Sequence, residues 1–204
     1  GIPFGELKIG TNFFNPKIDG CLISHSHKDH SKSVNNLLRL GINCYMSAET
    51  KEELKLNSFR VIEIEDRYKF DIGSFTVLPL AMKHDVSCIG FLIYSKITSE
   101  SLFFATDTYY IPYKLPPVDY IMVEANYDLQ RINERIANGD TDMAAKPRLM
   151  QSHMNIDSTL LWLSKTDLSK TKRIYLLHLS AGSANEKDFK QRVIEQTGIP
   201  VTIC

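Results

Sequence analysis

Short apolar runs alternate with polar, helix-forming stretches along most of the chain. Most of these runs contain three to eight residues and are rich in Val, Ile, Leu, Phe and Tyr, as is typical of buried strands. Gly73 and Ser74 separate two of the runs and predict the turn of a hairpin. The predicted strands are 18–24, 43–47, 60–64, 69–72, 75–80, 88–94, 102–105, 119–124, 173–177 and 201–203.

Helices are predicted between several of these strands. A glycine after a polar, Leu-containing stretch indicates a helix end, and Gly41, Gly139 and Gly198 are placed in this way. Segment 140–148 is polar and contains Pro147, which predicts a loop. The predicted helices are 31–40, 48–56, 129–138, a segment ending at 165 that Asn155 or Asp157 caps, and 185–196.

No repeat, low-complexity tract or Ser/Gly linker divides the chain. We therefore expect a single domain over residues 1–204, of the α/β class, in which stacked sheets are covered by helices. Its 204 residues carry 24 Lys and Arg against 24 Asp and Glu. A formal charge of zero excludes a protein that holds nucleic acid by bulk charge, although not one with a local basic patch.

Neither a bilayer-spanning run of about 20 apolar residues nor a signal peptide is present, which favours a cytoplasmic protein. The four cysteines, Cys21, Cys44, Cys88 and Cys204, are scattered and form no CxxC pair. That spacing argues against both a disulfide framework and a four-thiolate zinc site.

The segment His25-Ser-His27-Lys-Asp29-His30 is the most informative feature of the sequence. It places three imidazoles and a carboxylate directly after an apolar strand, and both groups are ligands for zinc and similar divalent metals. His25 and His27 are two residues apart, so their side chains point the same way on an extended segment. Asp29 and His30 fall in the turn that follows. The segment can therefore supply ligands to two neighbouring metals.

The other three histidines and one aspartate share a placement at strand ends. His84, Asp107 and His178 each follow a predicted strand, and His153 opens a loop before a helix. Taken singly, each is better interpreted as a core or loop residue. Taken together with the His-rich segment, they indicate side chains that converge on one edge of a sheet.

This ordered array resembles the metallo-β-lactamase-fold hydrolases, whose signature is HxHxDH followed by a lone His, a lone Asp and a last His. The resemblance implies an αββα four-layer sandwich and a two-metal site binding Zn²⁺ or Mn²⁺, with Fe²⁺ also possible. In that site, His25, His27 and His84 would hold one ion, Asp29, His30 and His178 the other, and Asp107 would bridge them. Two such ions can share an attacking hydroxide, which Asp29 would help to orient.

Glu124-Ala-Asn126 and His153-Met-Asn155 resemble segments of the phosphodiester-cleaving branch of the same family, which includes the tRNA 3′-processing endonucleases. By this resemblance Glu124 and His153 form a catalytic pair that protonates the leaving oxygen. Within that branch the chain is most similar to the WalJ (YycJ)-like proteins, regarded as bacterial DNA exonucleases. DNA is accordingly the expected partner and substrate.

Weaker signals concern substrate contacts. Ser180 and Ser183 follow the last ligand and could contact a phosphate. Several basic residues could bind a nucleic-acid backbone or could simply be solvated. They are Lys28, Lys32 and the basic residues of segments 146–148 and 170–173. Three tyrosines after Asp107 could stack on bases, but we expect them to pack their own loop instead: Tyr109, Tyr110 and Tyr113.

Two alternatives remain open at this level. One is a hydrolase of the same fold that acts on a small ester, thioester or lactone and does not need Glu124 or His153. The other is a non-catalytic metal-binding module, which the full ligand set disfavours. Related proteins also begin with further strands, so a sequence whose motif starts at residue 25 is expected to lack them, through natural shortening, loss, or supply by another polypeptide.

Overall fold

Two sheets form the centre of the molecule in the computed structural model, which describes residues 2–14, 18–140, 143 and 145–204. The smaller sheet is parallel, with strand order β1-β2-β3. The larger sheet has the order β10-β9-β8-β7-β6-β5-β4. The strands are β1 (Cys21–Leu22), β2 (Cys44–Met46), β3 (Val61–Glu63), β4 (Phe70–Ile72), β5 (Phe75–Met82), β6 (Cys88–Ser95), β7 (Ser101–Ala105), β8 (Tyr120–Glu124), β9 (Arg173–Leu177) and β10 (Val201–Ile203).

The larger sheet contains both antiparallel and parallel strand pairs. Strands β4 to β7 pair antiparallel, as the predicted hairpin requires, whereas β7 to β10 pair parallel. Parallel pairing needs crossover connections; a loop joins β7 to β8, and helices lie in the connections from β8 to β9 and from β9 to β10. The helices are α1 (Phe4–Gly10), α2 (Lys28–Ser31), α3 (Val34–Arg39), α4 (Ala48–Glu53), α5 (Leu129–Ala137), α6 (Ala145–Ser152), α7 (Ile156–Ser164) and α8 (Glu186–Thr197).

Three apolar clusters define four layers. Val34 and Leu37 of α3 pack on Met46 of the small sheet. Leu22 and Tyr45 of the small sheet contribute to a second cluster with residues of β4, β5 and β6, so the two sheets face each other. The largest cluster joins the opposite face of the large sheet to α7 and α8. The order of layers is therefore helix, sheet, sheet, helix, and the expected αββα sandwich is confirmed.

The prediction of one helix over 31–40 was wrong. The chain forms two short helices, α2 and α3, separated at Lys32 and Ser33. Serine hydroxyls bind backbone groups here, because Ser31 Oγ donates to the carbonyls of Ser26 (2.8 Å) and His27 (3.0 Å) and Ser33 Oγ donates to that of Ile2 (2.7 Å). Such side chains compete with helical backbone bonds and break the run.

The prediction of a loop over 140–148 was also wrong for its second half. Helix α6 begins at Ala145, with Pro147 as its third residue, and residues 141, 142 and 144 lie outside the described residues. Proline is tolerated in the first turn of a helix because its missing N–H has no intrahelical acceptor there. No described helix is long and apolar enough to cross a membrane.

Asp119 is a buried carboxylate at the start of β8, at the end of the strand opposite Glu124. Its side chain is 3% exposed and accepts the N–H of Ser101 (2.8 Å) and the ammonium groups of Lys170 (2.7 Å) and Lys172 (3.0 Å). Burial alone would raise the pKa of Asp119, but the bonds from Lys170, Ser101 and Lys172 together hold it below its ordinary value. The ionised form is therefore the one that stabilises the fold.

We expect Asp119→Asn to lower the free energy of unfolding by about 1–3 kcal/mol at neutral pH, because buried donors lose a charged acceptor. A depressed pKa stabilises the fold above the unfolded pKa of about 3.9, and this contribution disappears as pH falls towards the folded pKa. The difference in the free energy of unfolding between the variant and the wild type, measured with urea, should therefore be smaller at about pH 3 than at neutral pH. A matched Asp71→Asn change, in an exposed pair with Lys96, should have a much smaller effect. An equal loss in both variants would contradict this account of Asp119.

Candidate active site

One edge of the large sheet collects the chemically active side chains. Strands β7, β8 and β9 run parallel, and β5 has the same direction because two antiparallel pairings separate it from β7. The carboxyl ends of these strands therefore meet at the same edge, where α/β proteins characteristically bind ligands. His84, Asp107, Glu124 and His178 lie at or just beyond the ends of β5, β7, β8 and β9.

The small sheet contributes the His-rich segment to the same place. His25 follows β1 and is fully buried, with Nδ1 3.0 Å from the Ser24 hydroxyl. This contact leaves Nε2 directed at Asp107, whose Oδ2 is 3.7 Å away. His27 directly precedes α2, and Asp29 and His30 lie on it. The short helix thus displays both residues beside His25.

Two groups of predicted ligands could each surround a metal ion, and Asp107 belongs to both; a third possible group contains Asp107 and His178 together with Glu124 and His153. In each group the available ligand atoms lie within 4.8 Å of one another. Their membership matches the division expected from the sequence, and the assignment of each residue to an ion remains a prediction. The first group is His25, His27, His84 and Asp107, and the second is Asp29, His30, Asp107 and His178.

Nitrogen lone pairs in this cluster are arranged to fit cations. His27 Nδ1 and His84 Nε2 face each other at 3.3 Å. Among the described residues, the buried Nε2 atoms of His25 and His30 have no hydrogen-bond partner. Buried polar atoms without partners are costly and uncommon. Divalent ions between these nitrogens and the carboxylates would satisfy all of them, so the donor set fits zinc, manganese or iron.

The protonation states of His25 and Asp107 also favour metal binding. Burial and the nearby His30 lower the pKa of His25 to about 3, so its imidazole is neutral at physiological pH. Burial raises the pKa of Asp107, but the close contact with the His30 ring (3.3 Å) and the charge of His178 outweigh it and hold that pKa below its usual range. A neutral imidazole and an ionised carboxylate are the forms that ligate metals.

Two of the strand-end residues adopt a left-handed backbone. Asp107 has φ 49° and His178 has φ 55°, and such positive values are uncommon for residues other than glycine. The Asn126 amide donates to the His178 carbonyl (2.7 Å), and the Ser180 N–H donates to the Asn126 carbonyl (2.8 Å). These bonds hold the turn at His178. Strained backbone maintained by surrounding contacts is characteristic of functional sites.

A second constellation adjoins the metal cluster. His153 Nδ1 lies 2.6 Å from Oε1 of Glu124, which is completely buried. Glu124 Oε2 accepts the N–H groups of Thr108 (2.9 Å) and Met154 (3.3 Å). His178 Nδ1 is 3.3 Å from the same carboxylate, and this contact raises the pKa of His178 to about 9. The rings of His153 and His178 stack at 5.1 Å, so the pair lies directly beside the second ligand group.

The weaker predicted contacts lie in different places. Ser183 is buried in the turn after His178 and Ser180 is half-buried, so neither is presented as an open phosphate contact. Lys170 and Lys172 bind Asp119 at the opposite edge of the sheet and do not contribute to this site. Arg148 lines the cleft that contains His84, and Lys28 and Lys32 are exposed on and after α2.

Three further groups contribute to the site and were not predicted. Asp85 Oδ1 is 3.0 Å from His84 Nε2 and 3.7 Å from His27 Nε2, so its carboxylate reaches the first ligand group. Its position beside His84 in the sequence was the available signal. The Asn126 amide and the Thr108 N–H position His178 and Glu124. No sequence pattern marks the Thr108 bond, because it is made by the backbone.

Comparisons with known proteins agree with this geometry. The exodeoxyribonuclease WalJ of Streptococcus pneumoniae is 24% identical over 177 residues, covering 80% of this chain and 64% of that protein. The exodeoxyribonuclease YycJ of Bacillus anthracis is 23% identical over 201 residues, covering 90% of this chain and 74% of that protein. The chain thus spans somewhat less than two thirds of the pneumococcal relative.

A solved structure gives the same fold. The metallo-beta-lactamase fold protein YhfI from Bacillus subtilis superposes with a TM-score of 0.70 at 19% identity, covering 97% of this chain and 80% of that one. A family model described as the beta-lactamase superfamily domain matches residues 12–179. Fold, ordered residue array and family match agree: the chain belongs to the beta-lactamase superfamily and has the metallo-beta-lactamase fold.

Proposed function

We propose that this protein is a two-metal phosphodiesterase whose substrate is nucleic acid, with DNA cleaved from an end. The observation that carries the proposal is the Glu124–His153 pair, held at 2.6 Å beside the metal-ligand cluster. Hydrolysis of an ester with a good leaving group does not require such a pair. Cleavage of a phosphodiester does benefit, because the departing alkoxide is strongly basic and needs a proton.

The pair is built to deliver that proton. Glu124 accepts the Nδ1–H of His153, which fixes the orientation and tautomer of the ring and leaves Nε2 to carry the proton that is transferred. The proton on Nε2, at the other side of the ring, is then the one that His153 donates to the leaving oxygen. Glu124 cannot turn away during this step, because the N–H groups of Thr108 and Met154 hold its second oxygen.

The ligand residues supply the remaining chemistry. Divalent ions bound there would polarise the phosphoryl group and lower the pKa of an attacking water. We assign His25, His27 and His84 to one ion and Asp29, His30 and His178 to the other, with Asp107 shared. Asp29 is the most exposed of these residues, with a side chain 64% accessible, and is placed to orient the water from the open side of the site.

The choice of DNA rests on the relatives. WalJ and YycJ bear the name exodeoxyribonuclease, and each aligns with at least 80% of this chain. Assays on three polymers test this choice of substrate. A 5′-labelled duplex, a single strand and an RNA of the same sequence, each incubated with Mn²⁺ or Zn²⁺, would distinguish the polymers. Turnover of a lactone or thioester with none of any phosphodiester would overturn the proposal.

Replacing His153 separates proton donation from the other catalytic steps. We expect His153→Ala to lower kcat on DNA by about 10²–10⁴-fold. Hydrolysis of bis(p-nitrophenyl) phosphate should fall far less, since a nitrophenolate leaves without a proton. Steady-state rates on both substrates provide the measurement. Equal losses on the two substrates would show that His153 does not act as an acid.

Metal content tests the ligand assignment independently. Protein reconstituted with Zn²⁺ or Mn²⁺ and desalted should retain about two ions per chain by mass spectrometry. His84→Ala should lose binding of one ion, because the four side chains that surround that ion become three, whereas His153→Ala should retain wild-type content. Fewer than about one ion per chain in the wild type, with no activation by either metal, would favour a non-catalytic module.

A further inference from the structure

An aromatic cavity lies next to the site, between the loop that follows Asp107 and helix α7. It encloses about 290 Å³, near the lower end of the range for small-molecule sites. We call it the Tyr109–Trp162 cavity and define it by the side chains that form most of its wall: Tyr109, Tyr110, Tyr113, Met154, Leu161 and Trp162. The proposed chemistry uses none of these side chains.

The back of the cavity is firmly held. The Tyr113 hydroxyl donates to the Ala81 carbonyl (3.0 Å), and its ring lies 5.4 Å from the guanidinium of Arg67. Trp162 packs against the buried Phe103, with ring centroids 5.5 Å apart. The expectation that the tyrosines pack the loop is therefore confirmed for Tyr113. Rigid aromatic surfaces of this kind bind a flat partner at a small cost in conformational entropy.

The front of the cavity is open. Tyr109 is 43% exposed, Tyr110 58% and Leu161 56%, so loop packing does not explain the first two tyrosines. Single exposed apolar residues are ordinary on protein surfaces, but a group that lines one concave site indicates a ligand. Tyr110 is held there through its backbone, since its carbonyl accepts the Thr108 hydroxyl at 2.8 Å.

The cavity is tied to the reacting groups by short connections. Tyr109 lies two residues after Asp107, and its N–H donates to the carbonyl of Lys83, the residue before His84. Met154 follows His153 and donates its own N–H to Glu124. Tyr109 also lines the neighbouring cleft, which contains His84, Asp85 and Arg148. The cavity and the metal cluster are therefore adjacent parts of one continuous surface.

Unneutralised positive charge surrounds this surface. Lys114 and Lys165 lie at the cavity and Arg148 in the adjoining cleft, all three exposed. Within the part of the chain that the structure describes, none of them has a carboxylate within 4.0 Å, whereas Lys170 and Lys172 at the far edge both do. Cations beside aromatic faces are the combination that binds a phosphate backbone and stacks its bases.

We propose that the Tyr109–Trp162 cavity is a base-binding subsite, which stacks a nucleobase next to the phosphodiester at the metal cluster while Lys114, Lys165 and Arg148 hold flanking phosphates. This inference rests on the proposed function and deepens it. Stacking contributes about 1–3 kcal/mol per base and tolerates any base, so the subsite would position a strand without reading its sequence. A strand held at the cavity would present the bond beside that base to His153.

Trp162 is the only tryptophan of the chain and gives a direct readout. A single-stranded oligothymidylate of about ten nucleotides, within the usual site size, is titrated into metal-loaded protein, with phosphorothioate linkages to slow cleavage. We expect saturable quenching of Trp162 fluorescence. An oligomer of equal length and charge that lacks bases should bind about 5–150-fold more weakly, which corresponds to one stacked base.

Matched variants locate the effect. Tyr110→Ala should weaken oligothymidylate binding about 5-fold or more, measured by anisotropy of a labelled strand. Tyr94→Ala removes a tyrosine that is also 43% exposed but lies at the far end of β6, and should bind as wild type. Lys114→Gln with Lys165→Gln should reduce the salt dependence of the affinity.

The outcomes separate the subsite from the enzyme activity. Absence of Trp162 quenching, or equal affinity for the two oligomers in wild-type protein, would overturn the subsite even if Tyr110→Ala failed to fold. Cleavage of DNA together with either result would leave the phosphodiesterase standing and remove only the subsite. Quenching that depends on bases, with no hydrolysis of any phosphodiester, would support the subsite and refute the proposed function.

Discussion

The buried carboxylate of Glu124 is the interaction on which the geometry of the site depends. It ends β8 with no solvent exposure, and its two oxygens contact Thr108, Met154, His153 and His178. Those partners come from three different loops, so one carboxylate fixes the relative positions of Asp107, His153 and His178. A carboxylate in this position is costly unless every oxygen has a donor. The loops therefore have to close around it together.

The same constraint explains the unusual backbone at the sheet edge. Asp107 and His178 adopt positive φ angles in turns that follow β7 and β9. Each turn reverses the chain just after a strand, which directs the side chain towards the centre of the edge instead of along the strand. The strain costs on the order of 1 kcal/mol per residue, and the bonds to Glu124 and Asn126 offset it. Strained turns and a satisfied buried charge thus belong to one arrangement.

Much of this could be predicted from the sequence, because metal ligands leave a pattern. The placement of the His and Asp residues after strands predicted that they meet at one sheet edge, and the resemblance to a known family carried by their order implied the fold and the two ligand groups; the assignment of ligands to ions stays a prediction. Features that depend on contacts between residues distant in the sequence could not be predicted from it. Ser33 binds the distant carbonyl of Ile2 inside the segment predicted as one helix. Lys170 and Lys172 lie at the far edge of the sheet, where Asp119 binds them. Pro147 is a local exception, because it lies within the first turn of α6 and not in a loop.

The charged side chains are paired unevenly across the molecule. A chain with 24 cationic and 24 anionic side chains has no net attraction for a polyanion, so recognition must depend on where the charges are paired. Lys170 and Lys172 are neutralised by Asp119 and Glu100, on the side of the sheet away from the site. Around the aromatic cavity, Lys114 and Lys165 have no such carboxylate among the described residues. Pairing at one edge and cations without a described partner at the other give a neutral protein a directed positive surface, and metal ions in the ligand cluster would add to that surface at the proposed cleavage site.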